Sequence, residues 1–145
     1  MYANSYNYDR QQQDANLIND ISQAINGQYS AIACYQHLAQ IAPSEKERDR
    51  ILEIRQDEIN HYHVFSAIYT QLTGRQPTPQ ITEQCPNDYI KGLEVAIEDE
   101  QKTVDFYLEI ADKAQTPYIR EQFRRAAWDE QNHAVWFLYF YTKRH

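Results

Sequence analysis

Sliding the chain against itself by 72 residues brings its two halves into register without a gap, and this internal match restricts the possible folds more than any other feature. Ala24 meets Ala96, Ile25 meets Ile97, Tyr35 meets Tyr107, Ala39 meets Ala111, Phe65 meets Phe137 and Tyr69 meets Tyr141. Within each half, apolar residues recur at the three-and-four spacing of a helix face. The first stripe is Ile18, Ile21, Ala24, Ile25, Ala31, Ile32, Tyr35, Leu38 and Ala42, and the second is Ile51, Ile54, Phe65, Ile68 and Leu72. Ile90, Leu93, Ala96, Ile97, Val104, Tyr107, Ile110 and Ala114 form the third, followed by Ile119, Phe123, Ala126, Ala127, Phe137, Phe140 and Tyr141. Two helical hairpins of common pattern predict an all-α chain, a pseudo-symmetric antiparallel four-helix bundle. Three glycines and five prolines in 145 residues are too few turns for a β sandwich or barrel, and the length suits one domain.

The breaks in the pattern place the helix ends. Residues 1–13, rich in Asn, Gln and Tyr, have almost no aliphatic side chains to pack, so they read as a mobile N-terminal arm ahead of a bundle domain spanning 14–145. Helix 1 then runs from Asp14 to about Ala42. Pro43 breaks it, and Ser44 with Glu47 forms an S-x-x-E capping box for helix 2, which Gly74 ends. Arg75 to Asn87 holds three of the five prolines and predicts an extended crossover with no helix of its own. Thr116-Pro117 supplies an N-cap and a first-position proline for helix 4.

Composition removes several classes of function. Lys and Arg number 14 against 21 Asp and Glu, a net charge of −7 with no basic cluster, which argues against nucleic acid. No stretch reaches the roughly 18 apolar residues of a membrane span, and the start lacks the layout of a signal peptide, so a cytoplasmic, membrane-free protein is expected. Cys34 and Cys85 are too few for a disulfide scaffold and too far apart for a CxxC motif, and read as reduced thiols, Cys34 in helix packing and Cys85 in a loop beside Pro86.

The polar residues that interrupt the stripes carry the chemistry. Asp57-Glu58-Ile59-Asn60-His61 falls on Asp129-Glu130-Gln131-Asn132-His133, the same D-E-x-N-H string in helices 2 and 4. Glu and His three apart share a helix face, so carboxylate and imidazole can converge on one ion. Glu100, between Ile97 and Val104, adds a carboxylate from helix 3. Buried carboxylates resist ionisation without a compensating positive charge, and no Lys or Arg lies on these stripes near that level. A metal would supply the charge. A single E-x-x-H is unremarkable, but two in register with a repeat are not. Asp57 and Asp129, four positions before the histidines, are rotated towards the neighbouring helix, which predicts crossed pairs of Asp57 with His133 and Asp129 with His61. His37, His63 and His145 fall off the core stripes and read as surface residues.

A glutamate on each of two helices plus Glu-x-x-His on each of the other two resembles the ligand set of ferritin-like dimetal-carboxylate proteins. The likeness is closest to small rubrerythrin-like members and covers everything from about Asp14 onward. Helices 1 and 3 of that group commonly read E-x-x-A-x-x-x-Y, which compares here with Glu100 to Tyr107, Thr103 standing at the alanine position, and with Gln28-Tyr-Ser-Ala31-Ile-Ala-Cys-Tyr35. The resemblance implies two metal ions, iron first with Mn or Zn as alternatives, held by Gln28, Glu58, His61, Glu100, Glu130 and His133. Glu58 and Glu130 would be the bridges, and Glu58, Glu100 and Glu130 the reactive carboxylates. Gln28 departs from the family glutamate. Three carboxylates against two divalent ions leave one positive charge uncompensated, so one position should bind less tightly. Gly27 beside it either permits close backbone approach or is a tolerated surface glycine.

What the resemblance implies is an oxidoreductase, either a ferroxidase or a peroxidase acting on oxygen or peroxide, in a homodimer. With no paired CxxC there is no rubredoxin-like centre, so electrons come from the metal or from an external donor protein; with Met1 the only methionine there is no ligand for a bacterioferritin-type haem. The competing expectation is a structural or assembly protein with a static or partly occupied metal site. Tyr35, Tyr69, Tyr107 and Tyr141 read as amphipathic residues at the core edge.

Overall fold

A computed structural model describes the backbone of residues 2–144 and the side chains of residues 11–144. It contains α1 (Tyr2–Gln40), α2 (Glu45–Thr73), α3 (Tyr89–Lys113) and α4 (Pro117–Thr142), with no strand among the described residues. Helix α1 packs beside α2 and α3, and α4 beside α3 and α2, which leaves α1/α4 and α2/α3 on the diagonals of a four-helix bundle.

The helix ends follow local chemistry. Ser44 is extended and its Oγ accepts the Glu47 N–H at 3.2 Å, a cap worth about 1 kcal/mol. Gly74 closes α2 at φ 73°, a left-handed geometry that glycine adopts without a side-chain clash, and donates its N–H to the Thr70 carbonyl. Asp88 caps α3 by accepting from the Lys91 N–H at 3.0 Å, while Thr116 makes no side-chain cap and α4 relies on Pro117 at its start. Gly92 has a packing role: a Cβ there would lie 2.5 Å from Leu38 Cδ1, so its absence lets α1 and α3 close up.

Two apolar clusters bracket a polar layer. Ile21, Ile25, Phe65, Ile68, Ile110 and Phe123 build one, with Phe65 and Phe123 stacked at 4.2 Å, and Leu38, Ile51, Ile54, Leu93, Phe137 and Phe140 build the other. On every helix the candidate site residues fall between the two, so the bundle buries them in its middle.

Two expectations need correction. Residues 2–13, read from composition as an arm, continue α1; the described helix begins at Tyr2, and the side chains of residues 1–10 lie outside the described set. No proline or glycine occurs between Tyr2 and Asn26, so nothing in the backbone stops a helix nucleated by the packed face from propagating backwards through this stretch. The second concerns the cysteines. Cys34 and Cys85 are not reduced thiols but a disulfide, with Cα atoms 5.1 Å apart across 51 positions of sequence. The crossover runs along α1: the Gln80 N–H bonds to Asn26 Oδ1 at 2.9 Å, the Thr82 N–H to Ser30 Oγ at 2.9 Å, and Asn87 to His37 at 2.8 Å. That path lays Cys85 on Cys34. His63 is exposed, as expected, whereas His37 is half-buried under the crossover; His145 lies outside the described residues.

Candidate metal centre

Helices α2, α3 and α4 bring Glu58, Glu100, Glu130 and His133 together, with one potential ligand atom of each within 4.8 Å of all the others. His61 joins them: its Nδ1 is 3.3 Å from Glu58 Oε1 and 3.1 Å from Glu130 Oε1. On the other side His133 Nδ1 lies 3.5 Å from Glu58 Oε1 and 3.6 Å from Glu100 Oε2. Glu58 and Glu130 are therefore within 4 Å of both imidazoles, while Glu100 is near His133. Glu58, Glu100 and Glu130 are at most 2% exposed.

The histidines are oriented from outside the cluster, by crossed pairs. Asp129 Oδ2 lies 2.7 Å from His61 Nε2, and Asp57 Oδ2 lies 2.8 Å from His133 Nε2. Once the ring is neutral, donation of the Nε2 proton to aspartate leaves Nδ1 as the lone-pair nitrogen facing the carboxylates, the arrangement that metal-binding histidines commonly use.

Gln28 enters from α1 and is buried. Its amide Nε2 donates to the Tyr107 hydroxyl, and the Tyr35 hydroxyl donates to Glu100 Oε1 at 2.6 Å. Each tyrosine lies seven positions after Gln28 or Glu100 on its own helix, two turns along one face, and reaches across to the other. Reading Tyr35 and Tyr107 as core-edge residues missed this. The seven-residue spacing was the available signal. Tyr141 does sit at the periphery, donating to Glu94 at 3.0 Å. Gly27 has open space where a Cβ would go and is exposed, so it is the tolerated surface glycine, with no close approach to explain.

The electrostatics are those of stacked buried charge. Burial, reinforced by Glu58, pushes the Glu130 carboxyl up to about 7. Burial and then Glu130 hold Glu100 well above the carboxylate range. Burial opposes charge on His61, but its bond to Asp129 and the Glu130 and Glu58 carboxylates beside it together outweigh that and raise it to about 12. His133 rises to about 11 in the same way, through Asp57 and Glu100. Without a metal, imidazolium protons are the counter-charge of the carboxylates.

Among the described residues seven buried side-chain atoms lack a hydrogen-bond partner, and all but Ser66 Oγ lie in this layer: Gln28 Oε1, Glu58 Oε1, Glu100 Oε2, Glu130 Oε1, His61 Nδ1 and His133 Nδ1. Buried polar atoms left unbonded are destabilising by about 1–3 kcal/mol each, so their concentration in one layer fits a site built for cations. A cavity of about 90 Å³ reaches this layer between α1 and α3. Gln28, Glu58, Glu100 and Glu130 line its buried end, and exposed Glu83 and Gln84 of the crossover line its outer end.

The bundle and its Glu/His layer define a ferritin-like protein of the rubrerythrin type, and the sequence model of the rubrerythrin family matches residues 91–145. The family match covers nearly all of α3 and the whole of α4, and the ferritin-like architecture extends over the whole bundle. Among its relatives is the uncharacterized protein YhjR of Bacillus subtilis (strain 168), 48% identical over 132 residues and matched over 91% of each chain. The fold is also that of Desulfovibrio desulfuricans bacterioferritin, a protein with a di-iron site (TM-score 0.80, 18% identity, 92% of this chain and 82% of that one). A hypothetical protein from Pyrococcus furiosus is similar as well (TM-score 0.76, 19% identity, 87% and 88% covered). Among the described residues no helix is long and apolar enough to cross a membrane.

Proposed function

We propose that the chain holds two metal ions, iron foremost, between Glu58, His61, Glu100, Glu130 and His133, with Gln28 as a weak neutral donor, and uses them to oxidise Fe(II) or reduce peroxide. Iron held there supplies one-electron chemistry towards oxygen or peroxide. Glu58 and Glu130 would serve both ions, a role supported by the nearness of each carboxylate to both imidazoles. His61 and His133 present one Nδ1 apiece as terminal donors, their tautomers set by Asp129 and Asp57. The Tyr35 hydroxyl fixes one oxygen of Glu100 and leaves Oε2 for the site. The apolar clusters above and below exclude bulk water and strengthen every charge interaction between them. Electrons for repeated turnover come from an external donor protein.

The observation that carries this reading is the set of buried, unpartnered donor atoms converging in one layer. Its test is metal analysis of protein purified without chelator, followed by Fe(II) oxidation with peroxide and with oxygen. About two iron equivalents and rapid oxidation are expected. Redox-inert zinc, or no metal and no oxidation, would leave a structural or assembly protein as the better description.

A further inference from the structure

The cavity between α1 and α3 has an outer end that the metal layer does not use. Glu83, on the crossover, and Asp99 of α3 both line it there. Glu83 is exposed and Asp99 half-buried, so the pair stands between solvent and the buried carboxylates. No Lys or Arg lines the cavity; the exposed Lys102 is near enough to be felt by Asp99. Further in, Gln28 is 1% exposed and its Oε1, on a side chain lining the same cavity, has no partner. Acidic side chains at the surface thus continue inward through an unsatisfied amide oxygen to Glu100 and Glu58.

Glu83 is also held in place by the backbone around it. One residue earlier, the Thr82 N–H and hydroxyl both contact the buried Ser30 hydroxyl, at 2.9 and 3.3 Å. Two residues later, Cys85 is bonded to Cys34. A loop glutamate fastened on both sides loses little freedom when it engages a ligand, which is preorganisation for binding. A cavity of about 90 Å³ has room for water or a small ion, and a wall of carboxylate and amide oxygens attracts cations and repels anions.

We propose that this cavity is the route by which a divalent cation reaches the buried centre, and that Glu83 and Asp99 form an outer capture site on it. The proposal rests on the dimetal reading and adds to it a second, surface-facing cation site. Capture by the outer pair raises the local cation concentration at the cavity mouth, so its removal changes the rate of loading and leaves final occupancy alone.

The experiment follows anaerobic uptake of Co²⁺ by chelator-treated protein, using visible absorption for the rate and elemental analysis for the end point. Glu83→Gln and Asp99→Asn are each expected to slow uptake about 10-fold, with the final stoichiometry of the unmodified protein. Glu98→Gln, which removes an exposed carboxylate outside the cavity, is expected to load at the unmodified rate. Unchanged rates in both cavity variants would overturn the proposal, as would equal slowing by Glu98→Gln, since net charge would then explain the effect. Failure of the unmodified protein to bind Co²⁺ at all would overturn the dimetal reading and this proposal with it; normal stoichiometry with unaltered rates overturns the proposal alone.

Discussion

Replacing Cys85 by serine removes the bond that closes a loop of 51 positions between α1 and the crossover. The crossover should stay where it is in the native state, because Gln80, Thr82 and Asn87 keep their bonds to Asn26, Ser30 and His37. The loss is therefore expected in the unfolded chain, which regains the freedom that the crosslink denied it. Loop-closure entropy for a loop of this length amounts to about 4 kcal/mol at 25 °C. A 145-residue chain unfolds with an entropy of about 0.3 kcal/mol/K, so Tm should fall by about 13 °C. Circular dichroism melting of metal-free Cys85→Ser and unmodified protein, with and without a thiol reductant, measures this directly. Reductant should lower the Tm of the unmodified protein towards that of the variant and leave the variant unmoved. A drop below about 3 °C, or an unmodified protein indifferent to reductant, would refute the argument.

Asp57→Asn and Asp129→Asn should each weaken metal affinity about 10- to 100-fold in chelator competition, because each frees one histidine to turn or change tautomer; unchanged affinity would show that the crossed pairs do not orient the histidines for metal. Gln28→Glu should raise occupancy of the weaker metal position and speed Fe(II) oxidation, whereas equal, full occupancy in the unmodified protein would show the neutral amide to be no handicap. In the metal-free protein His61 and His133 are raised to about 12 and 11, so both carry protons at neutral pH that a metal must displace from Nδ1. Affinity should consequently increase with pH through neutrality, and calorimetry in buffers of different ionisation enthalpy should register more than two protons released per loaded site, two from the imidazoles and the rest from the raised Glu100 and Glu130 carboxyls. Zero release would mean that the imidazoles are already neutral.

Much of this architecture was legible because it is local. Ser44, Gly74 and Thr116-Pro117 act on the residues next to them, and the E-x-x-H strings declare their shared face by spacing alone. Even the crossed aspartate pairs followed from helical rotation. The disulfide was hidden because it depends on the path of an extended segment across α1, which no periodicity encodes. The helix through residues 2–13 was missed for the opposite reason: an amphipathic stripe reveals helices that pack, and this stretch continues one by propagation. Tyr35 and Tyr107 were seen as residues but misplaced in role, since their hydroxyls find partners on a different helix.

The crossed aspartate pairs have a bearing on the register of the bundle. Apolar stripes of isoleucine, alanine and phenylalanine are forgiving surfaces, and sliding α4 past α2 by one turn, about 5.4 Å, would still bury most of them. It would not spare the two ties. Asp57 to His133 and Asp129 to His61 run in opposite directions between the same two helices, so a slip in either sense parts both at once. They work like a pair of index pins between two machined plates: the greasy faces supply the clamping force, and the pins decide at which notch the plates lock.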